Sequence, residues 1–179
     1  MTDRADLLII ERVKHGDINA YKELVDKYNK PLFVMIMNVV RHRESSEEIV
    51  QEVFFSTYTC LDRFDPSLAK FSTWLFRIAR NRCLNELKRS KEDRIQNVDS
   101  HASVHNPADD VMTKEVFSEL DMALDKLPVH QKTVFVLTEI QELSLAEVSE
   151  IEEVPVGTVK SRLSRAKEKL RILLNGYLR

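Results

Sequence analysis

Apolar side chains recur along the chain at the three-and-four spacing of helices, and strand-like alternation is found nowhere. Tyr21, Leu24, Val25 and Tyr28, then Leu32, Met35, Ile36 and Val39, trace one buried helical stripe. Gly16 and Asp17 stand before it as a helix-ending glycine and a candidate N-cap, so a short helix around Asp6 to His15 precedes it. Pro31 marks a kink or a restart. Ser45, Ser46, Glu47 and Glu48 read as a helix opening, with hydroxyls at the cap and carboxylates in the first turn, and that helix runs to about Leu61. Phe64 to Ser67 is a turn, and a further helix runs from Ser72 or Thr73 to about Lys88.

From Ser90 to Met112 the period dissolves into Gln96, Asn97, Ser100, Ser103, Asn106 and Pro107, the composition of a linker. Such a tether of roughly 23 residues reaches about 75 Å when extended, so the two halves could lie apart or fold together. The pattern resumes with Val116, Leu120, Ala123, Leu124 and Leu127, and Pro128 then opens a segment from Val129 to about Ile140. Ser144 and Glu147 form a capping box for a short helix to Ile151, and Pro155 stands at the start of the last helix. The expected fold is all-α: two small helical domains, 1–90 and 113–179, joined by a flexible linker at 91–112.

Composition narrows the classes. Three glycines and five prolines in 179 residues are too few for the turns of a sandwich or barrel. No apolar run reaches the length of a membrane span, and Met1-Thr2-Asp3-Arg4 opens no signal region, so no membrane insertion is expected. Cys60 and Cys83 lack metal or redox spacing, which suits a reduced, cytoplasmic protein. The five histidines are scattered, and no metalloprotease, phosphate-loop or nucleophile-elbow motif occurs; the expectation is no enzyme, no metal and no cofactor. His101 and His105, four apart near Asp99, form only a weak metal pattern in a polar tether.

A net charge of −2 conceals strong local asymmetry. On the last helix Val159, Leu163, Ala166, Leu170 and Leu173 share one arc of roughly 80°. Thr158, Ser161, Ser164 and Arg165 lie opposite, flanked by Lys160, Arg162, Lys169 and Arg171, with Glu168 as the lone anion beyond Pro155. The stretch before it holds Glu142, Glu147, Glu150, Glu152 and Glu153 and no cation. A short helix, a tight turn and a longer basic helix match helix-turn-helix spacing, whose second helix enters the major groove. A solvated basic face closing a bundle accounts for the same charges.

A second strip, Trp74, Arg77, Asn81, Asn85 and Lys88, lies beside the apolar arc Phe71, Leu75, Ile78 and Ala79. An aromatic in line with amides and cations suits single-stranded nucleic acid; core packing of Trp74 is the plain alternative. Between the basic patches, Glu92 to Asp125 is acidic, with Arg94 and Lys114 its only cations. That arrangement suits a protein that masks its own cationic faces or threads a basic channel. Solvation of a loop explains it equally.

Three segments then carry a resemblance: Glu48-Ile-Val-Gln-Glu-Val-Phe54, Phe71-Ser-Thr-Trp-Leu-Phe-Arg-Ile-Ala-Arg-Asn81, and Leu127-Pro through Val154-Pro-Val-Gly-Thr-Val-Lys-Ser-Arg-Leu-Ser-Arg-Ala-Lys167. In this order the chain, over about Gly16 to Leu174, resembles the extracytoplasmic-function (ECF) sigma factors of bacterial RNA polymerase, which keep conserved regions 2 and 4. The resemblance implies that Glu48, Val50, Gln51, Glu52 and Phe54 bind core polymerase at the clamp helices of its largest subunit, with a second contact at the flap. It implies that Lys70, Ser72, Trp74, Arg77 and Asn81 open and read the minus-10 element of promoter DNA. Thr158, Lys160, Ser161, Arg162, Ser164 and Arg165 match the positions that read the minus-35 element. An anti-sigma factor masking both faces is the implied regulator. A stand-alone helix-turn-helix regulator is the alternative, and it leaves the first domain unexplained; an adaptor protein predicts that neutralising Arg165 and Lys160 changes no DNA-dependent activity.

Overall fold

The computed structural model describes residues 4–96 and 119–174, and among them every regular element is helical. In order these are α1 (Arg4–Lys14), α2 (Tyr21–Val40), α3 (Arg43–Thr59), α4 (Phe71–Gln96), α5 (119–125), α6 (Val129–Phe135), α7 (Leu145–Glu152) and α8 (Val156–Leu174). The rest of the expected tether, with His101 and His105, lies outside the described residues.

The stripe on α2 does what its spacing demands: Tyr21, Leu24, Tyr28, Leu32, Met35, Ile36 and Val39 are buried, facing α3 and α4. Gly16, at φ +98, ends the first helix, and Asp17 caps the single turn Ile18–Ala20 by accepting from the Ala20 N–H. α1 is clipped to α2 through a buried carboxylate. Asp6 accepts from Lys27 Nζ at 2.7 Å and from the Tyr28 hydroxyl at 2.6 Å, which satisfies a charge that burial alone would make costly.

Local chemistry moves several expected boundaries. α2 runs through Pro31 to Val40, because the neighbouring turns and the buried stripe outweigh one missing N–H. Arg41 ends it in the left-handed region at φ 65. The cap of α3 is His42, whose Nδ1 accepts from the Ser45 N–H, so this helix begins two residues before the serines. α4 passes its expected end near Lys88 and continues to Gln96, with a Glu86–Arg89 pair at 2.9 Å supporting its exposed side. After α6 the chain widens into a π-helical turn, Val136–Ile140, before the capping box of Ser144 and Glu147 starts α7 as expected.

The two halves share one core. Phe71, Leu75, Phe76, Ala79 and Cys83 of α4 are buried in a cluster that also holds Val134, Val136, Leu137, Val148, Ile151 and Val159 from beyond the tether. α7 lies along α4, and the π turn meets α2. A smaller cluster, Ala123, Leu124, Leu127, Ala166 and Leu170, fastens α5 to α8. Of the two arrangements the tether allowed, the structure adopts the folded-together one.

Phe71 is fully buried among Tyr28, Phe64 and Trp74, with ring centroids 5.6, 5.7 and 6.0 Å away. Phe71→Ala should cost about 3–5 kcal/mol in urea unfolding through the cavity it leaves. Phe55→Ala, at a side chain that is 70% exposed, should stay within about 0.5 kcal/mol of the wild type.

Candidate nucleic-acid interface

The turn between α7 and α8 is tight because Glu153 adopts the left-handed region at φ 54 and Pro155 then pre-sets the start of α8. Val159, Ala166 and Leu170 are buried beneath α8, which fixes its rotation and turns Lys160, Ser161, Ser164 and Arg165 outward. Thr158 is half-buried, and its carbonyl accepts from the Ser161 hydroxyl at 2.9 Å. A shallow groove on this face is lined by Lys160, Leu163, Ser164, Lys167, Glu168 and Arg171. Lys167 is tied to Glu139 and Arg171 to Glu168, each at 2.9 Å. Among the described residues Lys160 and Arg165 make no ion pair, so they are the free cations at the start of this helix. Arg162 differs from them: it is half-buried and donates to Glu152 at 2.8 Å.

The strip on α4 is assembled partly as expected. Asn81 is exposed, Ser72 and Arg77 are half-buried, and Trp74 is half-buried against Phe64, 5.3 Å away with the rings 33° apart. Trp74 is therefore both a packing residue and an edge of the surface. The loop before α4 is braced by Asp65, whose carboxylate accepts from the Ser67 N–H at 2.8 Å; the Ser67 hydroxyl first, and then this N–H, hold its pKa below the ordinary value. Leu68, 80% exposed, projects from this loop with nothing covering it. Lys70 is engaged by Glu147 of α7 at 2.5 Å.

The expected polymerase face on α3 needs correction. Glu48, Gln51 and Glu52 are exposed, but Val50 and Phe54 are 6% and 8% exposed and belong to the core with Ile49 and Val53. Residues four apart lie on one side of a helix, and this side faces α2 and α4. The exposed apolar group is Phe55, with Tyr58 one turn on, and sequence reasoning missed both sites. Glu52 pairs with Arg82 of α4 at 3.1 Å, beside a groove lined by Ser45, Glu48, Asn85 and Arg89.

Where the halves meet, carboxylates of the second half meet cations of the first. Glu152 has a fully buried side chain, accepting from Arg80 Nε at 3.1 Å and from Arg162 at 2.8 Å, with His130 Nδ1 3.7 Å away. Arg80 also donates to the side-chain Oδ1 of Asn81 at 2.9 Å. Arg41 reaches Asp121 at 2.9 Å and Asp125 at 3.0 Å. Buried Lys132 has its pKa lowered by burial, against the opposing pull of Asp125 at 3.2 Å. Neither Arg80 nor Glu152 stood out in the sequence. No grouping of His, Cys, Asp or Glu among the described residues could hold a metal ion, and no described helix is long and apolar enough to cross a membrane.

Residues 24–92 match the family model for Sigma-70 region 2, and residues 117–170 match that for Sigma-70 region 4. The chain is 34% identical to the ECF RNA polymerase sigma factor SigW of Bacillus subtilis, over 90% of this chain and 92% of that one. It is 30% identical to the RNA polymerase sigma-H factor of Pseudomonas aeruginosa, over 100% and 98%, and 32% identical to the ECF sigma-E factor of Escherichia coli K12, over 91% of each. In fold it is similar to CnrH, solved in complex with the cytosolic domain of CnrY, with a TM-score of 0.75, 24% identity and coverage of 96% and 98%. It is also similar to the sigma factor RpoE of Bartonella quintana, solved with the anti-sigma factor NepR, at TM-score 0.74, 21% identity and coverage of 87% and 96%.

The Glu147 carboxylate carries a pH signature. Burial pushes its pKa up, but bonds from Lys70 and Ser144 outweigh burial and hold it at about 2, against 4.5 ordinarily. Its contribution is complete above the unfolded value and disappears as pH falls through the folded one. The stability difference between wild type and Glu147→Gln in urea unfolding should therefore hold at about pH 7 and vanish near about pH 2.

Proposed function

The chain belongs to the ECF family of RNA polymerase sigma factors, and from that premise we propose how its surfaces divide the work of transcription initiation. It binds core RNA polymerase in the cytoplasm through α3 and directs that enzyme to promoters through two separate DNA-reading faces. The observation that carries this reading is the pair of basic helical faces, on α4 and α8, in the region 2 and region 4 matches of one chain.

The α8 face is the minus-35 reader. Lys160 and Arg165 reach phosphate and base acceptors in the major groove, Ser161 and Ser164 supply shorter donors, and Thr158 and Arg162 lie at the edge. Cation-to-phosphate contact makes this binding fall steeply with salt. The α4 face reads the minus-10 element as it opens. Trp74 and exposed Leu68 offer apolar surface to an unstacked base, while Lys70, Ser72, Arg77 and Asn81 supply polar contacts along the strand. On α3, Glu48, Gln51 and Glu52 surround Phe55, an exposed aromatic with polar neighbours, which is the usual make-up of a docking hot spot. Core docking involves the clamp helices of the largest subunit, with α5 to α8 placed at the flap. We assign 1–90 to region 2 and 113–179 to region 4, with 91–112 as the linker.

An anti-sigma partner covering α3 and α8 is the proposed off-state, in keeping with the neighbour solved with NepR. A stand-alone regulator is not favoured, because it gives the region 2 match and α3 no task.

Run-off transcription tests the reading: purified chain plus core polymerase should start at defined sites, and neither component alone should. Arg165→Ala should cost about 1–3 kcal/mol at the upstream element, and Lys160→Ala should lower the salt slope of binding by about one. Asn81→Ala should reduce open-complex yield, read by permanganate reactivity of unpaired thymines, with duplex binding unchanged.

A further inference from the structure

Lys160, Ser161, Ser164 and Arg165 point outward on α8, and Arg162 does not. At 100° per residue it lies roughly 60° from buried Val159 and about 130° from the middle of the face those four residues form. Its guanidinium is turned toward α7, where Nη1 donates to Glu152 Oε2 at 2.8 Å. The Glu152 side chain is fully buried, and that of Arg162 is only 23% exposed.

A carboxylate without access to water depends on whichever cation neutralises it. Glu152 has two other cationic neighbours, Arg80 Nε of α4 at 3.1 Å and half-exposed His130 Nδ1 of α6 at 3.7 Å. Arg80 belongs to the first half. Arg162 belongs to the same helix-turn-helix as the carboxylate, so this pair is part of the DNA-reading unit itself. Swinging Arg162 out to a phosphate would exchange a dry partner for a wet one and leave a buried charge short of compensation. That exchange is unfavourable.

The pair also does what apolar packing cannot. Val159, Ala166 and Leu170 seat α8 through contacts that are non-directional and tolerate a small rotation. A charge-assisted bond has a set length and direction. The turn is already held near its start, where the Ser149 hydroxyl donates to the Val154 carbonyl at 2.6 Å and Glu153 sits at φ 54. Glu152 and Arg162 add a second point of attachment, ten positions apart and across the turn. Lys160, Ser161, Ser164 and Arg165 all lie within three positions of Arg162, so their aim follows its placement. Resting on the minus-35 assignment above, we infer that Arg162 is a positioning residue: it reads no DNA itself and, through Glu152, sets the rotation at which α8 presents those four side chains to the major groove.

Holoenzyme reconstituted from the full chain and core polymerase tests this. Its affinity is measured for a promoter defined by run-off and for the same promoter with the upstream element scrambled. Arg162→Ala should shrink the ratio of the two affinities about tenfold, the order of one lost base contact. The dependence of log affinity on log salt should keep its wild-type slope. A guanidinium on a phosphate predicts instead a slope lower by about one, and that result overturns the proposal. An unchanged ratio overturns it as well, and so does an equal loss on both promoters, which is the mark of mere instability.

The double variant Glu152→Leu with Arg162→Ala separates aim from contact. With the carboxylate gone nothing needs neutralising, and apolar replacement of a buried ion pair commonly preserves the fold. The double variant should recover the ratio to within about twofold of the wild type although it has no arginine at 162. A double variant as poor as Arg162→Ala shows the guanidinium touching DNA and overturns the proposal. If Arg162→Ala alone loses its helical circular dichroism, the double variant decides. A wild-type holoenzyme indifferent to the upstream element overturns the minus-35 assignment itself. A wild type that prefers that element beside an Arg162→Ala variant that prefers it equally overturns only the role of Arg162, so the two readings fail on different measurements.

Discussion

A fully buried carboxylate must be neutralised where it sits, and Glu152 meets that requirement only because two guanidinium groups converge on it. One comes from α4 and the other from α8, so satisfying this charge fixes three helices relative to one another. The apolar neighbours on α7, Val148 and Ile151, are fully buried on the same side and add the non-directional share of the contact. Removing either arginine alone leaves the carboxylate half-compensated, which is why such triads resist piecemeal change. The arrangement contributes more to geometry than to net stability. Comparable burial of an apolar side chain would hold the helices together but would not set their register.

The same constraint explains how a chain of nearly balanced charge can present two basic surfaces. The second half sorts its charges by helix: α7 turns Glu147 and Glu152 toward the first half, and α8 turns Lys160 and Arg165 to solvent. Net charge averages these opposed faces to nearly nothing, and only the local distribution describes what a polyanion would meet. The exposed pairs around this core, such as Glu52 with Arg82, are each worth only about 0–1 kcal/mol, so the closed arrangement depends on Glu152 and the shared apolar cluster.

What the sequence made legible was whatever is local. The α2 stripe, the Gly16 stop, the Ser144–Glu147 capping box and the outward face of α8 each depend on residues within a turn or two of one another. Errors arise where local signals tie. Val53, Phe54 and Phe55 are consecutive apolar residues, and periodicity alone does not say which of them points outward; packing against α2 and α4 buries the first two. The far end of α4 carries alternating charges with no apolar period, so its last turns look like linker although helix propensity and the Glu86–Arg89 pair sustain them. Lys70 and Glu147 are 77 positions apart, and no spacing rule connects them. The family resemblance named candidate DNA-facing positions but carried no information about the ion pair that Lys70 makes with Glu147.

The closed form also limits what can open it. A ligand shifts a two-state equilibrium only by the difference between its affinities for the two states. Glu48, Gln51, Glu52 and Phe55 are exposed while the halves are together, so a partner touching only that face binds closed and open chains alike and opens nothing. Opening requires contacts that exist solely when α4 and α7 have separated. A ligand seated on the Lys70 ammonium in place of Glu147 is one source of them. The other is a partner that holds α3 and α8 at a spacing the closed chain does not permit. A partner that grips both halves at once satisfies that condition, and the Lys70 ammonium parts from Glu147 as the halves separate.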